Sequence, residues 1–179
     1  VFILFSSIIF FSYLWHVKTV TKKWNQFNIL RIHKAFDEAS IGYSELYAEM
    51  KYNVDFLFNY AQILSAQKKY DEACDVLERA KLVSCNVSLW NVQGKTYQLN
   101  AKYREAERCF KESANLLPNR LYPYYLLAKL YVEPDFFNKD KAKQMAEIVL
   151  KKKPKVHSRA VDEMRTEMEV LLSNILQNY

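Results

Sequence analysis

The sequence is poor in the residues that sheets, metal sites and disulfide frameworks need. Its 179 residues include only two glycines and four prolines, which leaves few turn residues for the chain reversals of a sheet protein. The three cysteines, Cys74, Cys85 and Cys109, form no CxxC pair, and the three histidines, His16, His33 and His157, are scattered along the chain. Neither a metal site nor a disulfide framework is indicated. These absences predict an all-α protein that needs no cofactor and has no enzymatic activity in this segment.

A pattern of large and small residues occurs twice between Leu57 and Pro118, at an offset of 33 positions. The later copy consists of Trp90, Gly94, Tyr97, Ala106, Phe110 and Pro118, and the earlier copy of Leu57, Ala61, Leu64, Ala73, Leu77 and Cys85. The later copy resembles the tetratricopeptide repeat, a helix-turn-helix unit of about 34 residues. Gly94 and Ala106 stand where the two helices of a hairpin approach closely. The alternative is a chance match between two ordinary amphipathic hairpins.

The repeat register predicts a solenoid of helix hairpins. The predicted repeats are residues 54–86, 87–120 and 121–155, after a degenerate first hairpin within residues 18–53. The third repeat has a longer turn at Glu133–Asn138, whose Phe136 and Phe137 are expected to pack back on the repeat rather than wait for a partner. Residues 156–179 are predicted to form the capping helix that closes the end of a solenoid. Its apolar face would consist of Val161, Met164, Met168, Leu171, Leu172 and Ile175.

Positive charge is concentrated in two patches, residues 16–34 and residues 139–159. Residues 35–138 hold 12 basic and 14 acidic side chains, whereas residues 139–159 hold eight basic and two acidic ones. Nucleic-acid binding is one interpretation of Lys151, Lys152, Lys153 and Lys155, but no groove-reading motif or stacking aromatic accompanies them. A solvated helix end is the better interpretation, because lysines favour the negative end of the helix dipole.

The first 17 residues, VFILFSSIIFFSYLWHV, contain no charged side chain. As a helix they would span about 26 Å, close to the thickness of a bilayer core. We therefore predict a transmembrane helix at residues 1–17, with a signal peptide and a buried core helix as alternatives. The following Lys18, Lys22 and Lys23 predict that the repeats face the cytoplasm. Because the chain starts within apolar sequence, we expect this helix to be the last of a longer membrane protein.

The first helix of each repeat lines the concave face of such a solenoid, so the register predicts a partner-binding surface. The predicted surface consists of Phe58, Gln62, Asn91, Lys95, Tyr122, Tyr125 and Lys129. Aromatic anchors among polar groups suit a protein or peptide ligand. Repeat domains that hold a chaperone's C-terminal carboxylate use a lysine and an asparagine where this chain has Phe58 and Gln62. That particular function is therefore not expected.

The order of these features resembles the C-terminal tail of bacterial O-antigen ligase family proteins. The segments that carry the resemblance are VDFLFNYAQILSAQKKYDEA, AERCFKESANLLPNRLYPYYLLAKLY and KVHSRAVDEMRTEME. The resemblance implies a parent glycan ligase or polymerase whose chemistry is done elsewhere, so no catalytic residue is carried over to this chain. It implies a non-catalytic interaction role for the tail. The alternative is a free-standing membrane-anchored adaptor unrelated to glycan assembly.

Overall fold

The computed structural model describes residues 2–154 and 156–178, with side chains at residues 7, 9–154 and 156–175. Over these residues the chain forms nine α-helices, one short 3-10 helix at Pro134–Phe136 and no β-strand. The helices are α1 Phe2–Ile32, α2 Phe36–Met50, α3 Val54–Ala66, α4 Tyr70–Val83, α5 Ser88–Leu99, α6 Tyr103–Leu116, α7 Tyr122–Leu130, α8 Lys139–Lys151 and α9 Arg159–Asn178. The all-α prediction is confirmed.

The helices form two compact units, Val1–Ser84 with α1 to α4 and Cys85–Tyr179 with α5 to α9. Within the units, successive helices pack in pairs as hairpins: α1 with α2, α3 with α4, α5 with α6 and α7 with α8. The second helices of the four hairpins begin at Phe36, Tyr70, Tyr103 and Lys139.

The turns inside the first three hairpins share one backbone conformation. Lys34, Lys68 and Ala101 have φ values of 61°, 62° and 54°, and they stand 34 and 33 positions apart. In each turn the next amide donates to a carbonyl five residues earlier: Ala35 to Leu30, Lys69 to Leu64 and Lys102 to Tyr97. This left-handed residue with its long hydrogen bond is the Schellman ending of a helix. The hairpin of α1 and α2 is therefore closed like the two clear repeats, although its first helix is basic.

The core of the first unit is rich in aromatic rings. Tyr43 of α2 and Phe56 of α3 are fully buried and stack with their ring centroids 4.8 Å apart. Trp24 of α1 donates its Nε1 hydrogen to the Tyr43 hydroxyl over 3.0 Å. A Cβ added at Gly42 would overlap the ring of Phe27, so this glycine lets α1 and α2 approach closely. The C-terminal half of α1 thus belongs to the first hairpin.

The predicted transmembrane helix at residues 1–17 receives no support from the structure. Across residues 2–154 and 156–178, no helix is both long and apolar enough to cross a membrane. Val1 and the side chains of residues 2–6 and 8, which belong to the predicted segment, lie outside the described residues.

In the second unit the predicted small residues bring helices together. A Cβ added at Gly94 of α5 would overlap the ring of Phe110 of α6, and this phenylalanine is fully buried. Ala106 is also fully buried and lies in one cluster with Phe110 and Leu127. The α6 helix ends at Leu116, two residues before Pro118, as expected for a residue that cannot continue a helix.

Helix α9 covers the end of the second unit. Its Val161, Met168 and Ile175 are buried. The other three residues of the predicted apolar face, Met164, Leu171 and Leu172, pack against the core clusters. Tyr179, the last residue of the predicted helix, lies outside the described residues.

The two phenylalanines of the turn between α7 and α8 behave differently. Phe136 stacks on Tyr103 and Tyr131 with centroid distances of 5.8 and 6.1 Å. The Phe137 side chain remains 39% exposed. The expectation that both residues pack back on the repeat is therefore confirmed for Phe136 and stays a prediction for Phe137.

Candidate functional site

A cavity of about 630 Å³ lies between α5, α7 and α9 of the second unit. Four residues of the predicted partner-binding surface line it: Lys95, Tyr122, Tyr125 and Lys129. We call this cavity the interaction groove. Its remaining walls include Gln98 of α5 and the acidic residues Glu133, Glu163 and Glu167.

The aromatic wall of the interaction groove is formed by two tyrosines on α7. Residues three positions apart lie on one face of a helix, and Tyr122 and Tyr125 stack with centroids 6.0 Å apart and ring planes 19° apart. Tyr122 is 39% exposed, whereas Tyr125 also packs against both core clusters of this unit. Tyr122 is therefore the more accessible of the two rings.

A polar cluster joins α9 to α7 across the interaction groove. The Tyr125 hydroxyl donates to Glu167 Oε2 over 2.6 Å, and Lys129 Nζ lies 3.2 Å from the same oxygen and 3.1 Å from the hydroxyl. The hydrogen bond from Tyr125 lowers the pKa of Glu167. Burial and the acceptor Glu167 raise the pKa of Tyr125. The cluster therefore holds a carboxylate against a phenol and an ammonium at neutral pH.

The charged side chains of the interaction groove differ in whether they already make hydrogen bonds to other residues of the chain. Glu133 accepts a hydrogen bond of 2.6 Å from Gln98, and Glu163 accepts one of 2.8 Å from Arg159. Lys95 is exposed and, among the described residues, makes no ion pair or side-chain hydrogen bond. Lys95 is thus the groove cation with its full hydrogen-bonding capacity available to a ligand.

The other three predicted surface residues lie elsewhere. Asn91 lines a smaller neighbouring cavity that shares Tyr122 with the interaction groove. Phe58 and Gln62 lie on α3 of the first unit, where both are half-buried. The Gln62 Oε1 atom accepts a hydrogen bond of 3.3 Å from Arg31, so part of its capacity is used within that unit.

Sequence reasoning missed the contribution of α9 to the interaction groove. Glu163 and Glu167 stand on the charged side of the predicted capping helix. The repeat register concerns only the hairpins and assigns no role to the polar residues of a cap. Gln98 could have been found, because it follows Lys95 by three positions on the same helix.

The lysine-rich segment carries local interactions. Lys151 pairs with Glu147 at 2.7 Å, and Lys152 Nζ lies 4.8 Å from the centroid of the Tyr124 ring. Lys155 lies outside the described residues. Among the side chains that the structure describes, no group of three or more histidine, cysteine or acidic residues is placed to hold a metal ion.

Comparison with known proteins gives matches of structure alone. No protein-family model and no curated protein matches the chain. MamA has a TM-score of 0.63 at 16% identity, over 89% of this chain and 91% of its own. The thermophilic TPR protein TTC0263 of Thermus thermophilus has a TM-score of 0.67 at 17% identity, and the match covers 84% of this chain and 80% of that protein. PilF of Pseudomonas aeruginosa has a TM-score of 0.62 at 16% identity, and the match covers 89% of this chain and 78% of that protein.

At these identities the likeness concerns the fold and not the ligand. It agrees with the hairpins, the glycine contact at Gly94 and the common turn conformation described above. The chain therefore has the tetratricopeptide-repeat fold.

Proposed function

We propose that the chain is a non-catalytic interaction scaffold that binds a protein or peptide in the interaction groove. The observation that carries the proposal is the meeting of Lys95, Tyr122, Tyr125 and Lys129 around one cavity. Tyrosine anchors supply much of the binding energy at protein interfaces. The free ammonium of Lys95 and the hydroxyls of the tyrosines add polar contacts to a peptide.

The experiment begins with selection of displayed random peptides on the full chain. A selected peptide is then synthesised with a fluorophore, and its dissociation constant is measured by anisotropy for wild type and variants. We expect Tyr122→Ala to weaken binding by about tenfold or more, because an anchor truncation often costs about 2 kcal/mol. Lys95→Ala should weaken it by about threefold, since an exposed charge contributes less.

Two exposed residues outside the groove provide matched controls. Leu82 of α4 is 81% exposed, and Arg104 of α6 is exposed and does not line the groove. Leu82→Ala and Arg104→Ala should leave the dissociation constant unchanged. Peptides that bind wild type and the Tyr122→Ala variant equally well would place the binding surface elsewhere and reject the proposal.

We also propose that the apolar start of α1 attaches the chain to a bacterial inner membrane, with the repeats on the cytoplasmic side. The support is the exposure of its large apolar side chains, such as Phe11 at 68% and Trp15 at 75%, followed by lysines.

The resemblance of the sequence to O-antigen ligase tails supports a parent that assembles surface polysaccharide. A free-standing membrane-anchored adaptor is the alternative. Further membrane helices encoded upstream of Val1 would favour the ligase tail, and a stop codon followed by a start signal there would favour the adaptor.

Native Cys85 offers a test of the membrane side, because its side chain is exposed whereas Cys74 and Cys109 are buried. In intact cells treated with a maleimide that enters the periplasm but does not cross the inner membrane, we expect no labelling of Cys85 until lysis. The Cys85→Ser variant reports the background from the other thiols. Labelling of Cys85 before lysis would reverse the proposed orientation.

A further inference from the structure

A further cavity, of about 760 Å³, lies between α9 and the turn that joins α7 to α8. The turn contributes Val132, Pro134 and Phe137 to its lining. The contribution of α9 is a stripe of residues along one side of the helix: Thr166, Glu167, Val170, Leu171, Asn174 and Ile175. We call this cavity the apolar trough. Its Phe137 is the turn residue whose ring remains partly exposed.

The apolar trough combines a buried floor with an accessible wall. Ile175 is buried in a core cluster of this unit, and Leu171 packs against the same cluster. Val170, by contrast, is 55% exposed, and Pro134 and Phe137 are also exposed. Sites for small molecules are concave, mostly apolar and about 300–1,000 Å³ in volume. The apolar trough therefore has the size and the lining of a small-molecule site.

The shape of the apolar trough favours a linear ligand. The stripe from Thr166 to Asn174 extends over about 12 Å along the helix axis. The aliphatic residues Val170 and Leu171 stand between these two polar residues. Thr166 and Asn174 are exposed and uncharged, and among the described residues their side chains make no hydrogen bond. An aliphatic chain with an uncharged polar end matches this order of groups.

Among the described lining residues Glu167 alone is charged, and one of its two carboxylate oxygens is unused. The Tyr125 hydroxyl and the Lys129 ammonium both bind its Oε2 atom, at 2.6 and 3.2 Å. Within the described part of the chain the Oε1 atom makes no hydrogen bond. A carboxylate only accepts hydrogen bonds, so a ligand group beside Oε1 has to be a donor. The charge of Glu167 disfavours an anion there, and the Lys129 ammonium disfavours a second cation.

We infer that the apolar trough binds an uncharged amphiphile, namely a molecule with one aliphatic chain and a neutral head group that donates a hydrogen bond. A hydroxyl or an amide N–H has this property. The chain packs along Val170, Leu171 and Phe137, and the head group donates to Glu167 Oε1. The inference goes beyond the proposed function, because this ligand is not a peptide and the trough is a separate cavity that shares Glu167 with the interaction groove.

The test uses the full chain with ¹³C-labelled methyl groups and 1-octanol as a minimal uncharged amphiphile. The expected result is saturable shifts of the methyl signals of Val132, Val170 and Leu171, which give a dissociation constant. 1-Hexanol has fewer methylene groups to bury and should bind about tenfold more weakly. Equal binding of the two alcohols would show that the chain is not buried and would overturn the inference.

Charged analogues of the same chain length test the head group. Octanoate carries a negative charge and no donor, so it should bind about tenfold more weakly than 1-octanol. Octylammonium should bind about threefold more weakly, because its charge loses hydration beside Lys129. Glu167→Gln removes the negative charge and should bring 1-octanol and octanoate to within about threefold of each other. A charged analogue that binds wild type as tightly as 1-octanol would overturn the inference.

Val170→Glu tests the wall of the apolar trough and leaves the core in place, because Val170 is exposed. The added carboxylate would lie beside the aliphatic chain, and we expect 1-octanol to bind about tenfold more weakly. Val156→Glu is the matched control, since Val156 is 70% exposed and does not line the trough; its binding should equal that of wild type. Circular dichroism of both variants checks the fold. Equal binding by wild type and the Val170→Glu variant would overturn the assignment.

The remaining outcomes also decide the matter. An absence of saturable shifts up to the solubility limit of 1-octanol would overturn the inference. A wild-type chain that dimerises in analytical ultracentrifugation while the Val170→Glu variant stays monomeric would assign the trough to a second copy, with the same consequence.

The proposed function is judged separately, by the effect of Tyr122→Ala on selected peptides. Peptides that depend on Tyr122, together with no binding of 1-octanol, would retain the interaction groove and reject the apolar trough. Binding of 1-octanol in the trough, together with peptides that do not depend on Tyr122, would retain the apolar trough and reject the interaction groove.

Discussion

Replacing Gly94 by leucine is expected to destabilise the second unit by about 3 kcal/mol, near the upper end of overpacking effects. Even a Cβ at this position would overlap the Phe110 ring. Phe110 has no free space to move into, because it is fully buried among Ala106, Leu127 and Leu130. Relief therefore requires α5 and α6 to separate, which would break the contact that defines the hairpin. Urea unfolding followed by circular dichroism measures the loss.

Further variants show whether the overlap with the Phe110 ring is the cause. Gly94→Ala gains about 1 kcal/mol of helix propensity, so a net destabilisation would have to come from the overlap. Combining Gly94→Ala with Phe110→Leu should give a loss smaller than the sum of the two single losses, since neighbouring changes couple. Lys95→Leu, on the exposed side of the same helix, should change stability by less than about 0.5 kcal/mol. A Gly94→Leu chain as stable as wild type would contradict the argument.

The hairpins were predictable from sequence because close helix contacts restrict residue size over long stretches. Gly94 and Ala106 are small where α5 and α6 approach each other, and Phe110 is the large residue that fills the space beside them. All three residues are buried. The left-handed turns at Lys34, Lys68 and Ala101 were not predictable. Such positions are usually recognised by glycine or asparagine, and this chain places two lysines and an alanine there. The turn is imposed by the packing of the helices that it joins.

The candidate site was predictable only where it follows from the register of a single helix. Tyr122, Tyr125 and Lys129 line one cavity because they recur at three and four positions on α7. The contribution of Glu167 depends on where α9 crosses α7, 38 positions away from Lys129 in sequence. The smaller cavity that Asn91 lines likewise brings together Ser113 of α6 and Arg120, which precedes α7. No local pattern in sequence encodes these long-range meetings.

The second large effect is expected at Glu107, which connects three elements of the second unit. Its Oε1 atom accepts a hydrogen bond of 2.6 Å from the Tyr131 hydroxyl and lies 2.7 Å and 3.2 Å from the ammonium groups of Lys111 and Lys141. Burial alone would raise the pKa of Glu107, but the hydrogen bonds from Lys111, Tyr131 and Lys141 outweigh it and lower the pKa to about 2. Folding therefore favours the charged carboxylate.

Because the folded-state pKa of Glu107 lies below its ordinary value of 4.5, its contribution to stability is complete above that value and is lost as the pH falls towards 2. The full shift corresponds to about 3 kcal/mol, and the half-exposed lysines reduce this to about 2 kcal/mol. We therefore expect Glu107→Gln to be less stable than wild type by about 2 kcal/mol at pH 7, with the difference narrowing between about pH 4.5 and 2.

Urea unfolding of wild type and Glu107→Gln across that pH range measures how their difference in stability narrows. Subtracting one free energy of unfolding from the other removes the contribution of all other carboxylates. Tyr131→Phe provides the matched control, because it removes one hydrogen bond to Glu107 and leaves both lysines in place. In that background the folded-state pKa of Glu107 should rise, so the loss of stability should still begin near pH 4.5 but should be smaller and end at a higher pH. A difference between wild type and Glu107→Gln that stays constant from pH 7 to 3 would show that the carboxylate charge contributes nothing. The role of Glu107 would then be confined to neutral hydrogen bonds, which an amide oxygen can also accept.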